Sequence, residues 1–343
     1  MSGTRRAWRE ELTGSNVDSE YTSGFGHAIS RRQFLTTLFG AASVVGVASC
    51  SRARASTSLP TNVQSATNVG TLPSTRPWHS QSGEVTPSIK ARATLLLETV
   101  GTWAGGAGGV SAARVRATRA GFNPELADAL APLLGVGSSA VLQVRDAQYG
   151  GILSTSASVL VVVDQWRLMP DGSVNSGGTT VDVRLVKAAP HWRVVDVFPA
   201  RPGAPVSQLS SSAQRVLSDP RIHLPHAAKS DVLAGGIHDS VLKVLIALSA
   251  RHVVDVSVMR SGHPLDVFGT SRPSDHPLGR AVDVWALDSK PLVLPTDHGL
   301  AASAMRLAVA HGAYNVGGPV HLGGSEYFSD QTHQDHIHLG FRR

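Results

Sequence analysis

The stretch Ser274-Asp275-His276-Pro277-Leu278-Gly279-Arg280-Ala281-Val282-Asp283 decides how the second half of this chain is read, together with Asp335-His336-Ile337-His338 further on. Pro277 and Gly279 mark a turn, and the run from Ala281 to Ala286 reads as the strand leaving it. His276 then lies on the loop and Asp283 inside the strand, so the turn folds an imidazole and a carboxylate toward each other. His336 and His338 stand two apart in a β-like segment and share a face. One imidazole, one carboxylate seven residues on and a distant His-x-His are the parts of a catalytic zinc centre, where three protein ligands leave the fourth position open.

The decapeptide meets the pattern Ser-x-His-x-x-Gly-x-Ala-x-Asp at every fixed position. It resembles the first metal motif of the zinc D-Ala-D-Ala metallopeptidases, a group allied in structure to lysostaphin-type endopeptidases and the hedgehog signalling domain. The second motif of that group is Glu-x-Trp-His or His-x-His. Residues 335–338 match the latter form and place Asp335 where the former has Glu. The resemblance covers residues 215–343. It implies Zn2+ held by His276, Asp283 and His338, and hydrolysis of amide bonds in peptidoglycan stem peptides or cross-links by metal-activated water.

The resemblance also implies a proton carrier. Register offers Asp335, but its side chain is shorter than Glu and strand alternation turns it away from His338. His336 lies on the ligand's face and is the favoured base, with Asp335 either a base itself or a carboxylate that orients an imidazole. Related peptidases carry Ser-Gly-x-Arg upstream, whereas Ser261-Gly262-His263 here leads to Pro264. Arg260 and Arg272 are the candidates to bind substrate instead, because a guanidinium matches a carboxylate or a developing oxyanion. Carboxypeptidase and endopeptidase modes both stay open. The alternative is a non-catalytic zinc-fold lipoprotein that binds cell wall or another protein.

The front of the chain reads as an address. Ser30-Arg31-Arg32-Gln33-Phe34-Leu35 resembles a twin-arginine export signal, an apolar segment follows to Val47, and Val47-Ala48-Ser49-Cys50 resembles a lipobox. Residues 1–50 are thus expected to direct export, with Cys50 lipidated at the outer face of the cytoplasmic membrane. Cys50 is the one cysteine in the sequence, so the exported body has no disulfide. Residues 51–88, rich in Ser, Thr, Pro and Asn, read as a disordered tether. A net charge of +6 without a Lys/Arg stripe among aromatics argues against a nucleic-acid partner.

Residues 89–203 read as a first folded unit. Helical spacing over 89–103 and 125–134 precedes β-rich runs at 140–149, 157–168, 179–186 and 192–197, with Pro170-Asp171-Gly172 as a hairpin turn. Helices followed by an antiparallel meander predict an α+β unit, and this order is similar to NTF2-like domains. Asp164, Asp182 and His191 are expected to be isolated surface residues, and the unit to be a spacer or the site of a protein partner. Pro202-Gly203-Ala204-Pro205 marks the boundary to residues 204–343. There, helices are expected at 210–217, 241–249 (capped by Asp239-Ser240) and 301–310, with a strand at 253–259. The second unit is α+β as well.

Overall fold

Seven consecutive small or branched residues, Ala157 to Val163, are buried without alternation, as expected of a strand covered on both faces. In the computed structural model, which describes residues 70–342, they form the middle of β2 (Ser156–Leu168). Before it come α1 (Pro87–Gly101), α2 (Gly109–Arg119), α3 (Leu126–Ala129) and β1 (Ser139–Ile152); after it, β3 (Val174–Val186) and β4 (Arg193–Pro199). The four strands make one antiparallel sheet in the order β1-β2-β3-β4. Ala157, Val159, Val161 and Val163 join a core with Ile89, Leu96 and Val100 of α1. The opposite face meets the rear half: Thr180 lies against Gly262, and Gly178 against His226.

The rear half runs α4 (Ser211–Ser218), β5 (Ile222–His223), α5 (His226–Leu233), α6 (Asp239–Ser249), β6 (Val254–Val258), β7 (Ala281–Leu287), β8 (Lys290–Pro291), α7 (His298–Ala310), β9 (Asn315–Gly317), β10 (Tyr327–Phe328) and β11 (Ile337–Gly340). Its sheet has the order β10-β9-β11-β7-β6-β5, with β8 beside β7. The central pairs β9/β11, β11/β7 and β7/β6 are antiparallel. Val244, Leu245 and Leu248 of α6 and Met305 of α7 pack on Val256, Val282, Val284 and Leu339. The described residues are therefore mixed α+β with largely antiparallel sheets.

Several features of the folded chain depart from the sequence expectations. Helix α2 is unanticipated because only Ala113 and Ala117 are buried along it, too faint an apolar stripe to register. Helix α6 starts at Asp239 rather than after it. His238 is the N-cap, and Asp239 sits in the first turn, where its carboxylate meets Lys243 at 2.7 Å and favours the helix dipole. Asp182 is not a surface residue. It is buried, accepts a 2.6 Å hydrogen bond from Ser158 and pairs with Arg184. Of the expected tether, residues 70–86 carry no helix or strand yet are pinned: Trp78 N donates to Glu98, and the Arg76 backbone exchanges two hydrogen bonds with Gln143. The export signal, Cys50 and residues 51–69 of the tether lie outside the described residues.

Candidate metal centre

The turn after His276 is made tight by hydrogen bonds from Gly279 N to His276 O (2.8 Å) and from Arg280 N to Asp275 O (3.0 Å). Gly279 has φ +69°, and a Cβ there would stand 2.0 Å from the Gly236 carbonyl oxygen. That carbonyl is backbone, so it cannot simply rotate away. Gly279→Ala is expected to cost about 2–4 kcal/mol, the left-handed backbone penalty plus overpacking, read as a lower urea midpoint at unchanged m-value.

Strand pairing supplies the rest of the site. His338 of β11 lies directly opposite Asp283 of β7, so both side chains leave the same face of the sheet. The turn lays His276 over them. His276 Nε2 stands 3.1 Å from Asp283 Oδ1 and 3.1 Å from His338 Nδ1, and His338 Nδ1 stands 3.0 Å from Asp283 Oδ1. Hydrogen bonds alone fit this triangle poorly, because one proton cannot point straight at two corners. His276 Nδ1 lies 2.5 Å from the Met259 carbonyl, so the proton sits on Nδ1 and Nε2 faces the other two corners.

Charge is arranged to match. Burial opposes ionisation of Asp283, but His276 and His336 outweigh it and hold the carboxyl well below its usual range. Burial lowers His338 to about 4 against the pull of Asp283, so its imidazole is neutral and able to ligate. His263 is also driven well below its usual value by burial, with His276 adding to the effect.

Among the described residues His263, His276 and Asp283 form a group that could hold a metal ion. His263 and His338 thus compete for the third place beside His276 and Asp283. The rings of His263 and His276 are stacked, with centroids 4.0 Å apart and planes 15° from parallel. An ion in the plane of one stacked ring lies well off the plane of the other. His338 suffers no such conflict, and its Nδ1 already closes the triangle, so it is the better placed third donor. Zinc bonds of about 2.0–2.2 Å put tetrahedral donors roughly 3.3–3.6 Å apart, so the observed triangle needs to widen by only a few tenths of an ångström.

Searches against family models, curated proteins and solved structures returned no match.

The triangle borders a cleft of about 500 Å³ lined by Asp283, His336 and His338, the 263–275 loop, residues 328–333 and the end of β1. Gly151 of β1 lets the front half approach this closely, since a Cβ there would lie 2.2 Å from Phe268. His336 enters the cleft with Nε2 3.8 Å from Asp283 Oδ2 and Nδ1 2.5 Å from Asp335 Oδ1. Burial disfavours charge on His336, but Asp283 and Asp335 prevail and raise it to about 9. Asp335 itself points away from the cleft, into an ion pair with Lys90 at 2.6 Å. Arg272 lines the cleft. Arg260 does not. It braces the metal loop from behind, donating from Nε to the Pro277 carbonyl, and lines a neighbouring cavity.

Sequence reasoning missed four contributors from the front half. Gln148 Nε2 donates to Asp283 Oδ2 at 2.6 Å, Tyr149 N donates to Asp335 Oδ2, and Lys90 bridges Glu84 and Asp335. Lys90 and Gln148 are both fully buried. Lys90 follows Ile89 at the start of an amphipathic helix, where a lysine ordinarily marks the solvent face. A bulge between Val144 and Asp146 breaks the alternation that would have told which way Gln148 faces.

Proposed function

We propose that this chain is a cell-envelope zinc peptidase that hydrolyses amide bonds in peptidoglycan stem peptides or cross-links. The observation that carries it is the convergence of His276 Nε2, Asp283 Oδ1 and His338 Nδ1 beside a cleft. The resemblance of both sequence motifs to the D-Ala-D-Ala metallopeptidases supports the same reading, as does the export signal, and so would a DD-peptidase-like rear half behind an NTF2-like front half. Export by the twin-arginine route and anchoring through lipidated Cys50 would place the protein at the outer face of the cytoplasmic membrane.

His276, Asp283 and His338 would hold the ion. When bound, zinc supplies a Lewis acid and lowers the pKa of a coordinated water to about 7. The chain's own groups handle the proton and the substrate. His336 Nδ1 is engaged by Asp335, which fixes the ring and leaves Nε2, on the cleft side, to take up a proton and return it to the leaving amine. Its raised pKa reflects the carboxylates of Asp283 and Asp335, and a divalent cation held by the three ligands would oppose that rise by disfavouring the imidazolium. Arg272, exposed and lining the cleft, suits a substrate carboxylate.

A second reading, a zinc-fold module that binds cell wall without turnover, is favoured by one observation: Asp335, at the position of Glu in the Glu-x-Trp-His form of the motif it resembles, is engaged by Lys90. Metal analysis of the purified protein, followed by digestion of purified sacculi and mass spectrometry, separates the two. About one zinc per chain with newly released amines is the expected result. Zinc with retention on sacculi but no cleavage would favour the binding module. A folded protein free of zinc after zinc loading would sink both readings.

A further inference from the structure

The metal ligands all come from the rear half, yet one of them is held by the front half. Asp283 presents Oδ1 to His276 and His338 and Oδ2 to Gln148 of β1, 2.6 Å away and 135 residues distant in sequence. The amide's orientation follows from chemistry: an ionised carboxylate only accepts, so Gln148 must offer its NH₂. The other end of the amide, Oε1, accepts from the Ser257 hydroxyl, which also donates toward the Asp283 carbonyl. All three side chains are buried. Gln148 is therefore locked at both ends, and its lock decides which oxygen of Asp283 faces the two imidazoles.

We propose that Gln148 is a positioning residue of the metal centre, so that the site is completed by the front half and the first folded unit is not a spacer. Partners that hold the second oxygen of a ligating carboxylate keep it in a one-oxygen mode and set its basicity. Their loss costs about 10–100-fold in metal affinity or activity. Gln148 reaches Asp283 across the contact between β1 and β7. A second tie holds the same face: Tyr149, the next residue, donates its backbone N–H to Asp335 at 3.1 Å. Two successive residues of one strand thus grip the carboxylate of a ligand and the carboxylate behind His336.

This inference rests on the metal-site reading above, and its test is arranged to tell the two apart. Zinc(II) affinity of the full-length protein is measured by competition with a chromogenic chelator for wild type and Gln148→Met, a near-isosteric change that removes both hydrogen bonds. Thermal unfolding of the metal-free proteins and visible absorption of the cobalt(II)-loaded proteins accompany it. The expected result is a Kd for zinc raised about 10–100-fold, with a changed cobalt spectrum and cooperative unfolding retained. If Gln148→Met does not fold, Ser257→Ala, which frees the far end of the amide, is expected to weaken zinc binding in the same direction. Wild type that binds zinc while the variant binds it equally, with an unchanged cobalt spectrum, would overturn the positioning role alone. Wild type that binds neither metal would overturn the site itself.

Discussion

Lys90→Met is expected to lower the unfolding free energy by about 3–5 kcal/mol, the usual cost of removing one partner from a buried ion pair. The ammonium has no exposed surface and lies between the carboxylates of Glu84 and Asp335, whose side chains are each 6% exposed. Burial alone would lower the Lys90 pKa, but the two carboxylates more than offset this and raise it. Methionine fills the space without the charge, so two acids remain where burial already disfavours a third: Asp146, with one carboxylate oxygen lacking a partner, is pushed up to about 7. The charge-balanced pair Glu84→Gln/Lys90→Met should recover most of the loss, because Asp335 then keeps His336 as its counter-charge. Urea midpoints for the three proteins check this. Equal destabilisation of single and double variants would show that packing, not charge, sets the effect.

Two variants with opposite metal behaviour are expected at the centre itself. His276→Ala/Asp283→Ala removes two corners of the triangle and should abolish both zinc binding and peptide hydrolysis. His336→Ala leaves the triangle intact and should retain zinc while lowering kcat by about 10²–10⁴-fold, the range for losing a general acid–base group. The basis is positional. His336 Nε2 stands 3.8 Å from the ligand carboxylate and makes none of the 3.0–3.1 Å contacts that define the triangle. Metal content and turnover are measured on the same preparations. Zinc lost from His336→Ala would make it a ligand, and turnover unchanged would remove it from the chemistry.

The parts of this site that could be read in the sequence are those held by local geometry. His276 and Asp283 stand seven residues apart across a turn that needs Gly279 for its backbone, whereas strand alternation puts His336 and His338 on one face and only the family resemblance singles out His338. The four strands of the front sheet likewise announce themselves through runs of Val, Leu and Ala. What escaped is whatever depends on the second partner across an interface. Gln148 and Lys90 look like ordinary polar residues until the rear half covers them; Asp182, by contrast, looks like a surface acid but finds its partners, Ser158 and Arg184, within its own sheet. Arg260 and Arg272 illustrate the same limit: twelve residues apart on one loop, they face different cavities, a choice made by the path of the loop rather than by residue type.

The grip of β1 on the rear half has a consequence for the order of assembly. During synthesis the front sheet can form before Asp283 and Asp335 exist, since domains fold largely from the N-terminus onward. Gln148 must then wait for a partner 135 residues later, and Tyr149 N for one 186 residues later. Until they arrive, Lys90 has only Glu84 as a counter-charge and the Gln148 amide has neither of its rear-half partners. Closure of the last long-range contacts is thereby coupled to completion of the His276, Asp283 and His338 triangle. A chain stalled before β11 would display its front half as an unfinished surface, open to chaperones and proteases, while the finished chain hides it.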